Sequence, residues 1–317
     1  MSFSSEVKKE LYDKVDAPRH CRLAELAAIL SMHGVLTMDQ GRYGILLATD
    51  HLQAARKYFT LLKKTFNIYV GASVLRHRTE QGKKTVTYAV SVPDPKEAEE
   101  VLVATKLLSV DGHYQKDYQI ISDLLLRMEC CKRAYLRGAF LVEGSITDPN
   151  RSYHFEISFE SDGKAREVQK ILQFFGLDAR IAQRKNRQIV YLKEGEAISD
   201  TLNLMGATVS MMELENVRIM KDMRNSVNRM VNCETANLTK IVKTAYKQIE
   251  DIKLIEERKG LNKLPDHLQE MARVRLDYPE SSLVELGKLL DPPVGKSGVN
   301  HRLRKLSEIA DTLRGED

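Results

Sequence analysis

Apolar positions in the first two-thirds of the chain fall into short runs with strand or helix spacing. Helical periodicity marks His51–Thr65 and Lys164–Phe175. Strand-like runs cover Tyr69–Arg76 with Thr85–Val92, and Ala179–Gln183 with Gln188–Leu192, each pair reading as a hairpin. The runs repeat. An offset of 110 residues places Leu26–Gly34 (LAAILSMHG) on Leu136–Gly144 (LRGAFLVEG), Tyr43–Thr49 on Tyr153–Phe159, and Leu61-Leu62 on Ile171-Leu172. Each copy reads as an apolar helix, two strands, a helix, two strands and a closing helix, the last at Lys96–Leu108 and Glu196–Leu204. The first strand pairs turn at Asp39-Gln40-Gly41 and Asp148-Pro149-Asn150. Gly34 and Gly144 end the apolar helices, which predicts a left-handed residue at each helix end. The fold class that follows is α+β: a duplicated αββαββα N-terminal domain with antiparallel sheets and helices on one face.

Small residues recur four apart in both apolar helices, at Ala24 and Ala28 and at Ala134 and Gly138. Residues so spaced share a helix face. The two helices are therefore expected to pack closely, backbone near backbone.

The last third is helical. From Glu213 to Gly260 the chain has no proline, and Asn232–Asn237 is expected to interrupt it, with Asn232 or Thr235 capping a second helix. Gly260 followed by Pro265 is a stop. Three short helices are predicted beyond it: Asp266–Arg275, Leu283–Leu290 and Gly298–Leu313. Ser282 with Glu285 forms a capping box for the second, and Ser297 is expected to cap the third. Val299, Leu303, Leu306, Ile309 and Leu313 make one apolar stripe on the third helix. This is the pattern of an all-α helix-turn-helix, whose third helix offers its N-terminal residues to a DNA major groove.

Composition narrows the function classes. The chain has 317 residues, 43% of them hydrophobic, as in ordinary globular proteins. No stretch approaches the roughly 18 uncharged apolar residues that span a bilayer. The first residues carry no apolar signal core, so a cytoplasmic, nucleoid-associated protein is expected, with no membrane partner. The net charge of +5 names no partner until the basic residues are located. Cys21, Cys130, Cys131 and Cys233 show no CxxC spacing, so they read as reduced, mostly buried thiols; no metal and no cofactor is expected.

The basic residues do cluster. The second hairpin of copy one carries Arg76, His77, Arg78, Lys83 and Lys84, and its counterpart carries Arg180, Arg184, Lys185 and Arg187. Such clusters supply phosphate affinity without sequence information. At the head of the third C-terminal helix stand Ser297, Asn300, His301, Arg302, Arg304 and Lys305. Asn can read adenine and Arg guanine, each with two hydrogen bonds. Ser281, Ser282, Lys288 and Lys296 sit where phosphate contacts are expected.

Leu136–Ser145 (LRGAFLVEGS) resembles the LAGLIDADG signature of homing endonucleases, and Leu26–Gly34 is a more degraded copy. The resemblance implies two motif helices at a pseudo-twofold axis, sheets forming a DNA-straddling saddle, and an acid near each helix end holding a divalent metal. Copy two has Glu143 there, but copy one has His33. One carboxylate and one imidazole suit Mg²⁺ poorly, because that hard cation selects oxygen ligands. No catalytic residue is therefore assigned; His33 and Glu143 are degenerate catalytic positions.

Over essentially the whole chain the sequence resembles the bacterial WhiA family. The supporting stretches are Ser2–Lys8, Cys130–Gly138, Asn232–Asn237, Gln248–Ile252 and Ser297–Arg302. The resemblance implies DNA-binding regulators of cell division, chromosome segregation and, in some bacteria, sporulation. The expected organisation is an N-terminal helical segment at 1–20, a degenerate LAGLIDADG-like domain at 21–212 with repeats at 21–108 and 131–206, a helical linker at 213–263, and a helix-turn-helix domain at 264–317 with its motif at 281–314. The expected function is a non-enzymatic, sequence-specific DNA-binding transcriptional regulator, a monomer bound to double-stranded DNA. Its N-terminal domain would add phosphate contacts or meet another transcription regulator. The competing readings are a metal-dependent endonuclease using Glu143 and a protein-interaction scaffold.

Overall fold

One element order, used twice, builds the first part of the molecule. The computed structural model describes residues 2–39, 42–78, 84–108 and 124–315, and these form two units, Met1–Lys221 and Asp222–Asp317. In the first unit, α1 (Phe3–Asp13) precedes α2 (Arg19–His33), β1 (Gly34–Asp39), β2 (Arg42–Thr49), α3 (Leu52–Phe66), β3 (Gly71–Arg78), β4 (Lys84–Val92) and α4 (Pro95–Ala104). The second copy runs α5 (Glu129–Glu143), β5 (Gly144–Ile146), β6 (Phe155–Phe159), α6 (Asp162–Phe174), β7 (Arg180–Arg184), β8 (Arg187–Leu192) and α7 (Gly195–Met205).

Each copy forms its own antiparallel four-stranded sheet, in the orders β1-β2-β4-β3 and β5-β6-β8-β7. Equivalent central pairs keep equivalent registers: Ile45 faces Val92 in one sheet, and Phe155 faces Leu192 in the other. Phe155, Ile157 and Phe159 alternate inward along β6, as a sheet covered on one face requires. The N-terminal helix belongs to the same core, burying Phe3, Val7, Leu11 and Tyr12.

The helices α2 and α5 pack as the small residues predicted. Ala24, Ala28 and Ala134 are fully buried. A methyl group placed on Gly138 would lie 2.6 Å from the Glu25 carbonyl oxygen and 3.0 Å from the Ala28 Cβ. Only a residue without a side chain permits that approach.

The glycines that end these helices have a different reason from the one expected. Gly34 (φ −71°) and Gly144 (φ −81°) are extended, not left-handed. The chain turns straight from helix into strand, and a Cβ would meet the Leu30 oxygen at 2.5 Å or the Phe140 ring at 2.2 Å. Left-handed ends occur instead at Asn67 after α3 and Gly206 after α7.

The helix α8 (Thr208–Arg258) begins in the first unit and ends in the second. Its first N–H groups are capped from α1: Glu10 accepts from the Val209 and Ser210 amides at 2.8 and 3.0 Å. The expected interruption at Asn232–Asn237 is absent, because nothing in that stretch breaks a helix. Asn232 and Thr235 lie inside the continuous helix instead of capping a new one, and the Thr235 carbonyl accepts from the Thr239 hydroxyl one turn on.

The second unit adds α9 (Asp266–Asp277), α10 (Leu283–Lys288) and α11 (Lys296–Arg314). Its core joins Ile252 and Ile255 of α8 to Leu268 and Met271 of α9, Leu286 of α10, and Val299, Leu303 and Leu306 of α11. Among the described residues no helix is long and apolar enough to cross a membrane.

Candidate nucleic-acid interface

The helical unit places α10 and α11 by short-range chemistry. Ser282 accepts from the Glu285 amide while the Ser282 amide donates to the Glu285 carboxylate at 2.8 Å, closing the expected capping box. That hydrogen bonding holds the Glu285 carboxyl below the usual carboxylate range. The turn then doubles back: the Val294 amide donates to the Gly287 carbonyl at 2.9 Å, and a Cβ on Gly287 would stand 2.1 Å from the Val294 oxygen. Gly287 therefore fixes the separation of α10 and α11.

The helix α11 buries Val299, Leu303, Leu306 and Ala310, with Ile309 and Leu313 packed at the edge. The opposite face follows from the period. Lys296, Ser297, Asn300, His301, Arg304 and Lys305 are exposed on it. Two details depart from the sequence reading. Ser297 does not cap α11; the helix starts at Lys296 with Gly295 as its cap, so the Ser297 side chain sits inside the first turn. Arg302 is turned toward α9, where its guanidinium donates to the His267 carbonyl at 3.3 Å and lies 3.5 Å from Glu270. Arg304 reaches Glu308 along the helix at 3.3 Å but stays largely exposed. Lys288 is exposed, whereas the Ser282 hydroxyl is engaged in the cap and the Ser281 carbonyl accepts from Arg275 at 2.7 Å.

The hairpins of the duplicated unit look different. Arg180 lies 3.0 Å from Asp178, Arg184 lies 3.8 Å from Glu156, and Arg187 lies 2.9 Å from Glu143. The Asp178 partner raises the Arg180 pKa further. Lys185 stands exposed at the tip in a left-handed conformation (φ 53°). In the matching hairpin Arg76 is exposed on β3. Arg78 faces Lys84 in the strand register, but the side chains of His77, Arg78 and Lys84 lie outside the described part, as does all of Lys83. Three of the charges expected to cluster there, Arg180, Arg184 and Arg187, face carboxylates.

At the ends of the motif helices the two copies also differ. Glu143 is held by Arg187, and burial beside it lowers the Lys8 pKa despite the Glu143 charge. His33 packs edge-on against Tyr58 at 6.4 Å, with its Nδ1 buried and unbonded. Among the described residues a pair of carboxylates does not converge there.

Sequence reasoning missed a buried charge network between these helices. Arg137 donates through Nε and Nη2 to the two Glu25 oxygens at 3.1 and 3.0 Å, and through Nη1 to the Met205 carbonyl at 3.1 Å. It also pairs with Asp16, while Lys57 lies 2.9 Å from Glu25. Burial pulls the Arg137 pKa down, but Glu25 and Asp16 outweigh it and the net shift is upward. For Lys57 burial prevails over Glu25, and the pKa falls. The signal was charge at apolar-face positions of both motif helices.

Comparison with known proteins covers the whole chain. Three family models match: the WhiA N-terminal LAGLIDADG-like domain at residues 19–108, the WhiA LAGLIDADG-like domain at 132–224, and the WhiA C-terminal HTH domain at 227–310. A "Probable cell division protein WhiA" of Lachnoclostridium phytofermentans is 48% identical over 315 residues, covering 99% of this chain and 100% of the relative. A protein of the same name from Clostridium beijerinckii is 45% identical, covering 99% of each chain. The crystal structure of full-length WhiA from Thermatoga maritima matches 98% of this chain and 99% of its own, at TM-score 0.57 and 26% identity.

Proposed function

The chain belongs to the WhiA family, and from that premise we propose that it is a sequence-specific DNA-binding transcriptional regulator that does no chemistry on DNA. The observation that carries the reading is the head of α11. Lys296, Ser297, Asn300, His301, Arg304 and Lys305 face solvent there, while the other side of the same helix is the core of the unit. Asn300 and Arg304 supply base-edge donors, and Lys288, Lys296 and Lys305 supply phosphate contacts. Arg302 supports the module from within through Glu270.

The names of the relatives support a place in cell division. Roles in chromosome segregation and sporulation follow from the family resemblance alone. The proposed organisation keeps the duplicated domain at 21–212, a connecting helical segment at 213–263 and the reader module at 264–317, in a monomer associated with the nucleoid. The degenerate saddle contributes weak phosphate contacts through Arg76 and Lys185, or meets a second regulator. The paired arginines of β7 and β8 favour the protein-contact role. Glu143 bound to Arg187, with His33 at the matching place, supports the absence of metal-dependent cleavage.

Removing residues 264–317 tests the assignment. Specific binding is expected to vanish, leaving at most weak, salt-sensitive association; equal binding by the truncated chain contradicts the reading. Incubating plasmid DNA with Mg²⁺ or Mn²⁺ tests the enzyme alternative, which Glu143→Gln-sensitive cleavage would establish.

A further inference from the structure

Four potential ligand atoms converge between the first turns of α2 and α5. They belong to His20 and Cys21 of one helix and to Cys130 and Cys131 of the other, and all lie within 4.8 Å of one another. The 110-residue repeat sets His20 on Cys130 and Cys21 on Cys131, so each copy contributes the second and third residues of its motif helix. His20 Nδ1 is the hub: it stands 3.2 Å from the Cys131 sulfur, 3.4 Å from that of Cys21 and 3.9 Å from that of Cys130. In a tetrahedral zinc site with Zn–S about 2.3 Å, the ligand atoms stand about 3.5–3.8 Å apart. The observed spacings bracket that edge length.

We propose that His20, Cys21, Cys130 and Cys131 form a structural zinc site that clamps the two repeats together at the N-terminal ends of their motif helices. The donor set is one imidazole nitrogen and three sulfurs, the chemistry that selects zinc over magnesium or calcium. Binding releases three thiol protons, and the resulting site carries one net negative charge. That charge lies at two helix N-termini whose cap residues, Pro18 and Met128, offer no side-chain hydrogen bond. Cys21 and Cys131 are buried and His20 and Cys130 lie toward the surface; four protein ligands complete a tetrahedral set with no open position, which fits a structural metal, not a catalytic one. The ligands stand at the end of the helix pair opposite His33 and Glu143, so the site is separate from the degenerate catalytic positions. Sequence spacing hid it, because no CxxC is present and the ligands come from two copies.

The test uses the full-length, untagged chain purified under reducing conditions and dialysed against metal-free buffer. Elemental analysis is expected to find about one zinc per chain. Replacement by Co²⁺ is expected to give thiolate-to-cobalt charge-transfer absorption with the intense d–d bands of a tetrahedral field. Cys131→Ser is expected to weaken metal binding at least tenfold, and Cys233→Ser, on α8, to leave it unchanged. Should Cys131→Ser fail to fold, His20→Cys provides the second measurement, retaining metal with a stronger charge-transfer band. The proposal is overturned if the dialysed wild-type chain holds no zinc and gives no such cobalt bands. It is equally overturned if zinc persists undiminished in Cys21→Ser and Cys131→Ser, or if these cysteines are found in a disulfide.

Discussion

In the duplicated unit charge faces charge; at the head of α11 charge faces solvent. Arg180, Arg184 and Arg187 each meet a carboxylate, and Arg137 with Lys57 is sealed against Glu25 between the motif helices. In the helical unit a dry stripe of Val299, Leu303 and Leu306 holds α11 while Asn300, His301 and Lys305 stay exposed. The difference is one of degree: Asn300, His301 and Lys305 face solvent, whereas Arg304, like Arg180 and Arg184, keeps a carboxylate partner while staying largely exposed. It also separates what each unit needs for stability from what each offers to a ligand.

Removing the buried guanidinium tests the first half hardest. Arg137→Ala leaves Glu25 buried with only Lys57 and is expected to destabilise the first unit by about 3–5 kcal/mol. Denaturant unfolding followed by amide exchange should place that loss in residues of α2 and α5, with the second unit unchanged. A loss below about 1 kcal/mol would mean that the network relaxes to water. The mirror experiment is Gly287→Ala, whose new methyl meets the Val294 carbonyl; about 1–3 kcal/mol should be lost from the second unit alone. Ser282→Ala comes next, at about 1 kcal/mol for a lost cap. Because the Glu285 carboxyl is held low in the folded state, its contribution is present at neutral pH and is lost as pH falls through that lowered pKa. A Glu285→Gln variant, which has no carboxyl to titrate, should therefore show a flatter acid limb in a stability-versus-pH series. The smallest effect is expected at the β7–β8 tip. Arg184→Ala with Lys185→Ala should cost less than about 1 kcal/mol in DNA binding and change the salt slope by less than one unit. A drop of two units would return the saddle to the DNA interface.

The elements that the sequence made legible are those set by local rules. The 110-residue repeat gave the element order because helix and strand periods survive in both copies. The Ser282–Glu285 box and the α11 stripe were readable because both are contained in a few neighbouring residues. Illegible features depend on what lies across space. Gly34 and Gly144 answer to Leu30 and Phe140, not to a left-handed turn. Asn232–Asn237 looked like a boundary because its residues favour caps, yet without glycine or proline the helix runs on. The partners of Arg184, Arg187 and Arg302, and the convergence of His20 with three cysteines, join residues that no local pattern connects.

The central claim is that α11 reads DNA sequence. Its most direct test is the ratio of specific to non-specific affinity, measured at one salt concentration on fragments selected from the organism's own genomic DNA. The wild-type chain should show a ratio of about 10³ or more, and Asn300→Ala with His301→Ala should bring it down by at least tenfold while non-specific affinity stays within about twofold. A ratio unchanged by the double substitution would contradict the account.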